Sequence, residues 1–179
     1  MSCSSDEQVL IETQFQSEDA MYREAFNELK AGNYQKSSDL FNELDLMHPY
    51  SRWASKGQLM SGFALYQANK YEEAIFALNK FINLNPNDKN LDYAFYLKGY
   101  CYYERMNEVS RDQVIAKKAI QTFNELKNKF PTSKYSLKAV NHIKLLNNQL
   151  AGYEMNVGKF YQSRNKFLAA ILRYKTILK

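Results

Sequence analysis

The spacing of apolar positions predicts helices along nearly the whole chain. Tyr22, Phe26 and Leu29 recur at i, i+4 and i+7, and so do Leu59, Phe63 and Tyr66, and again Tyr96, Tyr100 and Tyr103. Each trio forms one stripe down one helical face. Further on, Leu137, Val140, Ile143, Leu146 and Leu150 continue the same periodicity into one long helix. No strand is predicted anywhere. Prolines punctuate the pattern: Pro49, Pro86 and Pro131 each follow an apolar amphipathic segment, and the first two are 37 residues apart. Proline lacks an amide donor and disfavours helix in the residue before it, so each marks a helix end.

Counting back from each proline reveals a repeat. One unit reads Gly62, Tyr71, Ala74, Leu78, Phe81, Pro86, and the preceding one reads Ala25, Gly32, Tyr34, Ser37, Phe41, Leu44, Pro49, with Ser37 where alanine is usual. A third has Gly99, Tyr102, Ala119, Phe123, Leu126 and Pro131, its halves separated by about eight extra residues that the polar stretch 104–112 would absorb as an extended connection. A fourth has Gly158, Tyr161, Phe167, Ala170, Tyr174 and Ile177, and no closing proline. Small early residues, Ala-x-x-x-aromatic spacing and a terminal proline are the tetratricopeptide (TPR) signature. The expected fold is therefore all-α, a TPR-type α-solenoid of about four antiparallel helix pairs, eight helices. The predicted organisation is a flexible tail over 1–16 and a TPR domain over 17–179, with units at about 18–51, 55–88, 92–133 and 134–179.

This spacing has a physical reading. Small residues at the early helix-A positions and at Ala74, Ala119 and Ala170 let the two helices of a pair approach, while Phe41, Leu78, Phe123 and Tyr174 are expected to fill the gap to the next pair. Each pair buries only part of its apolar surface, and stacking completes the core. A stack needs a polar cap on its last repeat, yet the final helix carries Leu168, Ala169, Ala170, Ile171 and Leu172. The expectation is a stack that continues.

Composition narrows the picture. Fourteen Tyr and 11 Phe come with only 6 Gly and 3 Pro, which favours long helices joined tightly. No apolar run is long enough to span a bilayer, and no charged segment followed by an apolar one reads as a secretory signal. Residues 1–20 carry five acids and no base, whereas residues 134–179 carry nine bases and one acid, Glu154. A basic end suits nucleic acid, anionic lipid or an acidic protein surface, or is simply a solvated face. Its bases are spread along helices without an RNP-like motif, zinc-knuckle spacing or arginine block, so no nucleic-acid partner is expected. Cys3 and Cys101 cannot form a disulfide framework, and Cys101 reads as a small buried apolar residue. His48 and His142 are isolated, and no Cys, Asp or Glu cluster has metal or triad spacing. No phosphate loop is present. Neither an enzyme, a metal site nor a cofactor is expected.

In a curved stack the helix-A faces line a concave groove. The nine stripe residues Tyr22, Phe26, Leu29, Leu59, Phe63, Tyr66, Tyr96, Tyr100 and Tyr103 are the candidate peptide-binding set, suited to segments with aromatic anchors. Arg52, Lys56 and Lys98 stand near it as partners for a peptide carboxylate. Two readings of each stripe remain open, groove surface or core.

The strings outside the repeat positions carry a resemblance. Cys3-Ser4-Ser5-Asp6-Glu7, Phe81-Ile-Asn-Leu-Asn-Pro86-Asn, Leu91-Asp-Tyr-Ala-Phe-Tyr96, Lys129-Phe-Pro-Thr-Ser-Lys-Tyr135 and Tyr153-Glu-Met-Asn-Val-Gly-Lys-Phe-Tyr161 resemble the BamD family of TPR lipoproteins over nearly the whole chain. The resemblance implies a component of the outer-membrane β-barrel assembly (BAM) complex, held on the periplasmic face of the outer membrane by a lipid on Cys3 and by no spanning helix. It implies partners: the periplasmic POTRA domains of BamA, other BAM lipoproteins, and unfolded outer-membrane β-barrel proteins whose aromatic C-terminal signal the N-terminal repeats bind. Arg173 falls at a family position associated with the BamA contact. The connection within the third unit is shorter than in some members, and a fifth repeat is missing. The rival reading is another TPR adaptor scaffold of the bacterial cell envelope, with Cys3 an incidental tail thiol.

Overall fold

The computed structural model describes residues 17–108 and 113–178. The expected tail over 1–16, with Cys3, lies outside them. The described residues form helices α1 (Glu18–Lys30), α2 (Tyr34–Met47), α3 (Ala54–Gln67), α4 (Tyr71–Leu84), α5 (Leu91–Glu108), α6 (Gln113–Lys129), α7 (Lys134–Ser163) and α8 (Phe167–Ile177), and none of these residues is in a strand. They are antiparallel TPR-type pairs, in agreement with the all-α expectation. The chain divides into two compact units, one ending at Phe81 and the other beginning at Ile82.

A common device closes three of the four pairs. Gly32, Asn69 and Asn165 have φ of 81°, 58° and 57°, and each directly follows the C-cap residue of helix A, Ala31, Ala68 and Arg164. The next amide in each case bonds five residues back, Asn33 to Glu28, Lys70 to Leu65 and Lys166 to Tyr161, at 2.9–3.0 Å. This is the Schellman stop, which needs a left-handed residue that only Gly adopts freely and Asn tolerates. Its sequence trace is Gly or Asn, a polar residue, then Tyr or Phe.

In the first unit the core is Met21, Tyr22, Ala25, Phe41 and Leu44, with Phe26, Leu40, Trp53 and Met60 packed against it. Ser37, the departure from the repeat pattern, is fully buried and donates its hydroxyl to the Ala25 carbonyl at 2.8 Å. That bond satisfies a polar group where alanine would have none. Ser17 caps α1 by accepting from the Ala20 amide, and Glu18 and Asp19 favour the same helix end. Behind α3, Gln58 and Lys80 both donate to the buried Asp45 carboxylate, at 2.7 and 2.6 Å, and tie α3 and α4 to α2.

In the second unit Phe95, Cys101, Ala119, Phe123, Leu126 and Leu146 are buried. Burial pushes the Cys101 thiol up to about 12, so it is no nucleophile near neutral pH. A Cβ added at Gly99 would stand 2.6 Å from the Phe123 ring, and one at Gly62 of the first unit 2.9 Å from Leu78. Gly158 lies under Tyr174 in the same way. Phe123, Leu78 and Tyr174 thus fill the space over the small residue of their own pair, rather than only the gap to the next pair. Ser133 caps α7 by accepting from the Tyr135 amide at 3.0 Å and donates to Asp92 at 2.6 Å.

Two expectations are revised in this unit. The stretch 104–112 is not one extended connection, because α5 runs on to Glu108 and leaves only 109–112 outside the described residues. No glycine or proline interrupts it after Gly99, and the buried Met106 keeps it packed. The long helix α7 is present, but of its apolar stripe Leu146 is fully buried whereas Leu137 and Val140 are 69% and 45% exposed. Gly152, on its exposed side, has nothing within 4 Å of an added Cβ. Gly152→Ala is therefore expected to raise stability by about 1 kcal/mol through helix propensity alone, read as a higher urea midpoint by circular dichroism. A lower midpoint would reveal a packing role.

Candidate functional site

The nine stripe residues separate into three buried and six half-exposed. Tyr22, Leu29 and Leu59 retain only 6%, 9% and 5% of their surface, so they are core and not accessible groove. The cause for Tyr22 is Trp53, the chain's single tryptophan, whose ring stacks on it at 4.1 Å while Phe41 approaches at 5.5 Å. Leu59 is buried because α3 is enclosed on several sides, with Gly57, Ser61, Gly62, Ala64 and Leu65 buried as well. Trp53 had no place in the sequence-derived set. A lone tryptophan just ahead of a predicted helix was its signal.

What the first unit leaves accessible is Phe26 on α1, with Phe63 and Tyr66 on α3. Phe63 and Tyr66 are 6.3 Å apart, and Tyr71 extends the group at 6.1 Å from Tyr66. Cations stand on the rings. Lys30 lies 4.7 Å over Phe26, and Lys56 lies 4.9 Å over Tyr22 and 5.1 Å over Trp53. Such contacts are weak at exposed sites, about 0.5–1 kcal/mol, so these ammonium groups can turn to a carboxylate. Arg52 is less available: it pairs with Asp19, which also accepts from the Trp53 indole. Arg52 first and Trp53 second hold the Asp19 carboxyl below the usual carboxylate range.

The second unit holds a denser cluster. Tyr96, Tyr100 and Tyr103 are all half-buried and form a ladder down α5, with successive rings 6.0 and 5.7 Å apart. They converge on His142 of α7, at 5.9, 5.2 and 5.2 Å, and Phe123 stacks on its other side at 5.4 Å. Tyr96 Oη lies 3.2 Å from His142 Nε2, while His142 Nδ1 is buried with no hydrogen-bond partner. The histidine that looked isolated is the hub of the tyrosine stripe. Sequence spacing could not show this, because α5 and α7 meet only in the fold. Lys98, on the same helix, is half-buried and its ammonium is pushed down by burial.

Burial also lowers the His142 pKa. The unfolded imidazole takes its proton first as pH falls, so this contribution to stability is fully present above about pH 6.5 and is lost as pH falls toward the depressed folded value. Lowering the pH from about 7.5 to about 5.5 is thus expected to reduce the urea midpoint of the wild type more than that of His142→Phe. Equal losses in the two proteins would remove His142 as the cause.

Arg173 on α8 is 45% exposed at its side chain and lies 3.3 Å from the carboxylate of Glu154, which is 8% exposed and also accepts from Gln113 at 3.0 Å. The sole acid of the basic end is thus a buried tie. Beside it, Phe167, Leu168 and Leu172 of α8 are 57%, 81% and 67% exposed. Among the described residues, no group of three or more His, Cys, Asp or Glu is placed to hold a metal ion, and no helix is long and apolar enough to cross a membrane.

Comparison with known proteins adds identity to this geometry. The sequence model of the YfiO family, described as outer membrane lipoprotein, matches residues 14–179. The chain is 37% identical over 158 residues to an outer membrane protein assembly factor BamD of Caulobacter vibrioides, covering 88% of this chain and 52% of that protein. To the proteins of that name from Rickettsia prowazekii and Neisseria gonorrhoeae it is 34% identical, covering 88% and 93% of this chain and 63% and 66% of theirs. The chain therefore spans between about half and two-thirds of the length of these relatives. Among solved structures, a MamA RS-1 ArsTM double mutant superimposes with a TM-score of 0.52 at 14% identity, over 96% of this chain and 79% of that one. That likeness concerns the fold alone.

Proposed function

This chain belongs to the YfiO family of outer membrane lipoproteins, and we propose from that premise that it is a scaffold component of the BAM complex, a reading supported by its relatives' name of outer membrane protein assembly factor. It acts by binding, without catalysis. It sits on the periplasmic face of the outer membrane, held by a lipid on Cys3, a residue outside the described ones. Dual acylation suffices for such anchoring without a spanning helix.

The observation that carries the reading is the pair of half-exposed aromatic surfaces, Phe63 with Tyr66 in the first unit and Tyr96, Tyr100 and Tyr103 in the second. Rings held by neighbours lose little conformational entropy on binding, and tyrosine hydroxyls keep the surface wet before it is filled. An unfolded outer-membrane β-barrel segment ending in an aromatic residue supplies matching anchors, and Lys56, two turns before Phe63 on α3, or Lys30, over Phe26 on α1, offers an ammonium group to its terminal carboxylate. The basic distal end, with Arg173, docks BamA through its POTRA domains, and other BAM lipoproteins join the same assembly.

A fluorescent peptide ending in phenylalanine tests the aromatic surfaces. Phe63→Ala and Tyr100→Ala are each expected to weaken its binding by about tenfold, the usual effect of truncating an aromatic anchor. Unchanged affinity in both variants sinks the peptide reading. Capture by the periplasmic part of BamA tests the other half; a protein that ignores BamA is a different cell-envelope TPR adaptor.

A further inference from the structure

The first unit carries a second surface that the peptide reading leaves unused. A pocket of about 520 Å³ opens between α2 and α4 with α3 as its floor, walled by Leu46, Leu65 and Phe76. That volume lies within the range of about 300–1,000 Å³ that holds ligands and anchoring side chains. Leu46 and Phe76 are 79% and 76% exposed. Neither occupies a position the repeat requires, since Phe41, Leu44, Ala74, Leu78 and Phe81 fill those and are buried. Single exposed apolar residues are ordinary, whereas these two line one and the same pocket. The three helices around the pocket are tied together, because Gln58 of α3 and Lys80 of α4 both donate to Asp45 of α2. This surface is separate from the aromatic stripe: Gln58 and Leu65 lie roughly 100° around α3 from Leu59 and Tyr66.

Charge says what the pocket fits. Glu72 and Glu73 line it, and exposed Asp39 and Glu43 stand one turn before Asn42 and Leu46 on α2. Each nearby base is paired with one acid, Lys80 with Asp45 at 2.6 Å, Lys70 with the rim's own Glu73 at 3.2 Å, and Lys36 with Glu28 of α1 at 2.6 Å, so the acids outnumber the bases and the surface keeps a net negative charge. We propose that this pocket is a docking site for a basic, amphipathic segment of a partner protein, which seats one large apolar side chain between Leu46 and Phe76 and pairs flanking lysines or arginines with the acidic rim. Opposite charge fixes orientation and speeds encounter, while the buried anchor supplies most of the affinity. Residues 1–16 of this chain are a poor occupant, because they carry Asp6, Glu7 and Glu12 and no base.

The test uses the whole chain and a labelled helical peptide of leucine and lysine, with its leucine and glutamate counterpart, followed by fluorescence anisotropy. The leucine–lysine peptide is expected to bind, less tightly as salt rises, and the double variant Leu46→Ser Phe76→Ser to weaken it by about tenfold or more. Both residues are exposed, so circular dichroism should be unchanged in that variant. Phe63→Ala, on the aromatic stripe, should leave this binding intact while weakening the phenylalanine-ended peptide, which keeps the two sites distinguishable. Equal binding by the double variant overturns the proposal, as does equal binding of the leucine–glutamate peptide. A wild-type dimer in sedimentation that Phe76→Ser abolishes also overturns it, by making a second copy the occupant.

Discussion

Phe123→Ala is expected to destabilise the second unit by about 3–5 kcal/mol, the cost of removing a fully buried aromatic ring. The upper part of that range applies because the site cannot collapse. The ring is completely buried and lies directly over Gly99, which has no side chain to move into the space. On its other side it supports Tyr96 at 6.1 Å and the stacked His142 at 5.4 Å. The same change should therefore loosen the tyrosine ladder and weaken binding of the phenylalanine-ended peptide, even though Phe123 touches no peptide. The reciprocal variant, Gly99→Ala, overpacks the contact and is expected to cost about 1–3 kcal/mol despite alanine's better helix propensity. Combined with Phe123→Leu, it should cost less than the sum of the two single changes, because the smaller side chain gives the new methyl room. Urea unfolding followed by circular dichroism reads all of these. Additive losses would show that Gly99 and Phe123 do not share one space.

The second large effect concerns Arg173. If its only role is to meet an acidic partner, Arg173→Leu should leave the free protein as stable as before. The geometry predicts otherwise. Removing the guanidinium leaves the nearly buried Glu154 carboxylate with Gln113 alone, and stranding a buried charge costs more than the pair itself contributes. A loss of about 1–3 kcal/mol is expected, discounted for the half-exposed arginine. Arg173→Leu with Glu154→Leu removes the stranded charge and should recover most of the stability. Binding to the periplasmic part of BamA separates the two roles: the double variant, folded but without the guanidinium, should still bind weakly. Recovery of binding along with stability would mean that Arg173 acts only by holding α8 to α7.

The helices themselves were legible from local chemistry. Proline stops and the turn residues after helix A act through the backbone or through residues one or two turns away, so their spacing along the chain is enough; the small helix-A residues meet partners in the other helix of their pair, Gly62 with Leu78 and Gly99 with Phe123, and are legible because the repeat copies that spacing from pair to pair. The left-handed Asn69 and Asn165 belong to the same class, since each ends its helix by bonds within six residues. The stretch 104–112 departs from the expected extended connection for a related reason: polarity alone does not stop a helix, and nothing there does before Glu108.

The site was legible only in outline. An i, i+4, i+7 aromatic stripe names a face, but whether that face is open depends on what another helix brings to it. Tyr22 is closed by Trp53, which is 31 positions away in the sequence, and Tyr96 meets His142 at a separation of 46. Arg173 likewise acquires its tie to Glu154 only when α8 folds against α7. The sequence by itself determined the repeated helix pair, its small residues and its family resemblance, because these are written in local signals and in a spacing that recurs along the chain. The tertiary structure alone decided which aromatic residues are core and which are surface, because burial depends on contacts between helices that are distant along the chain.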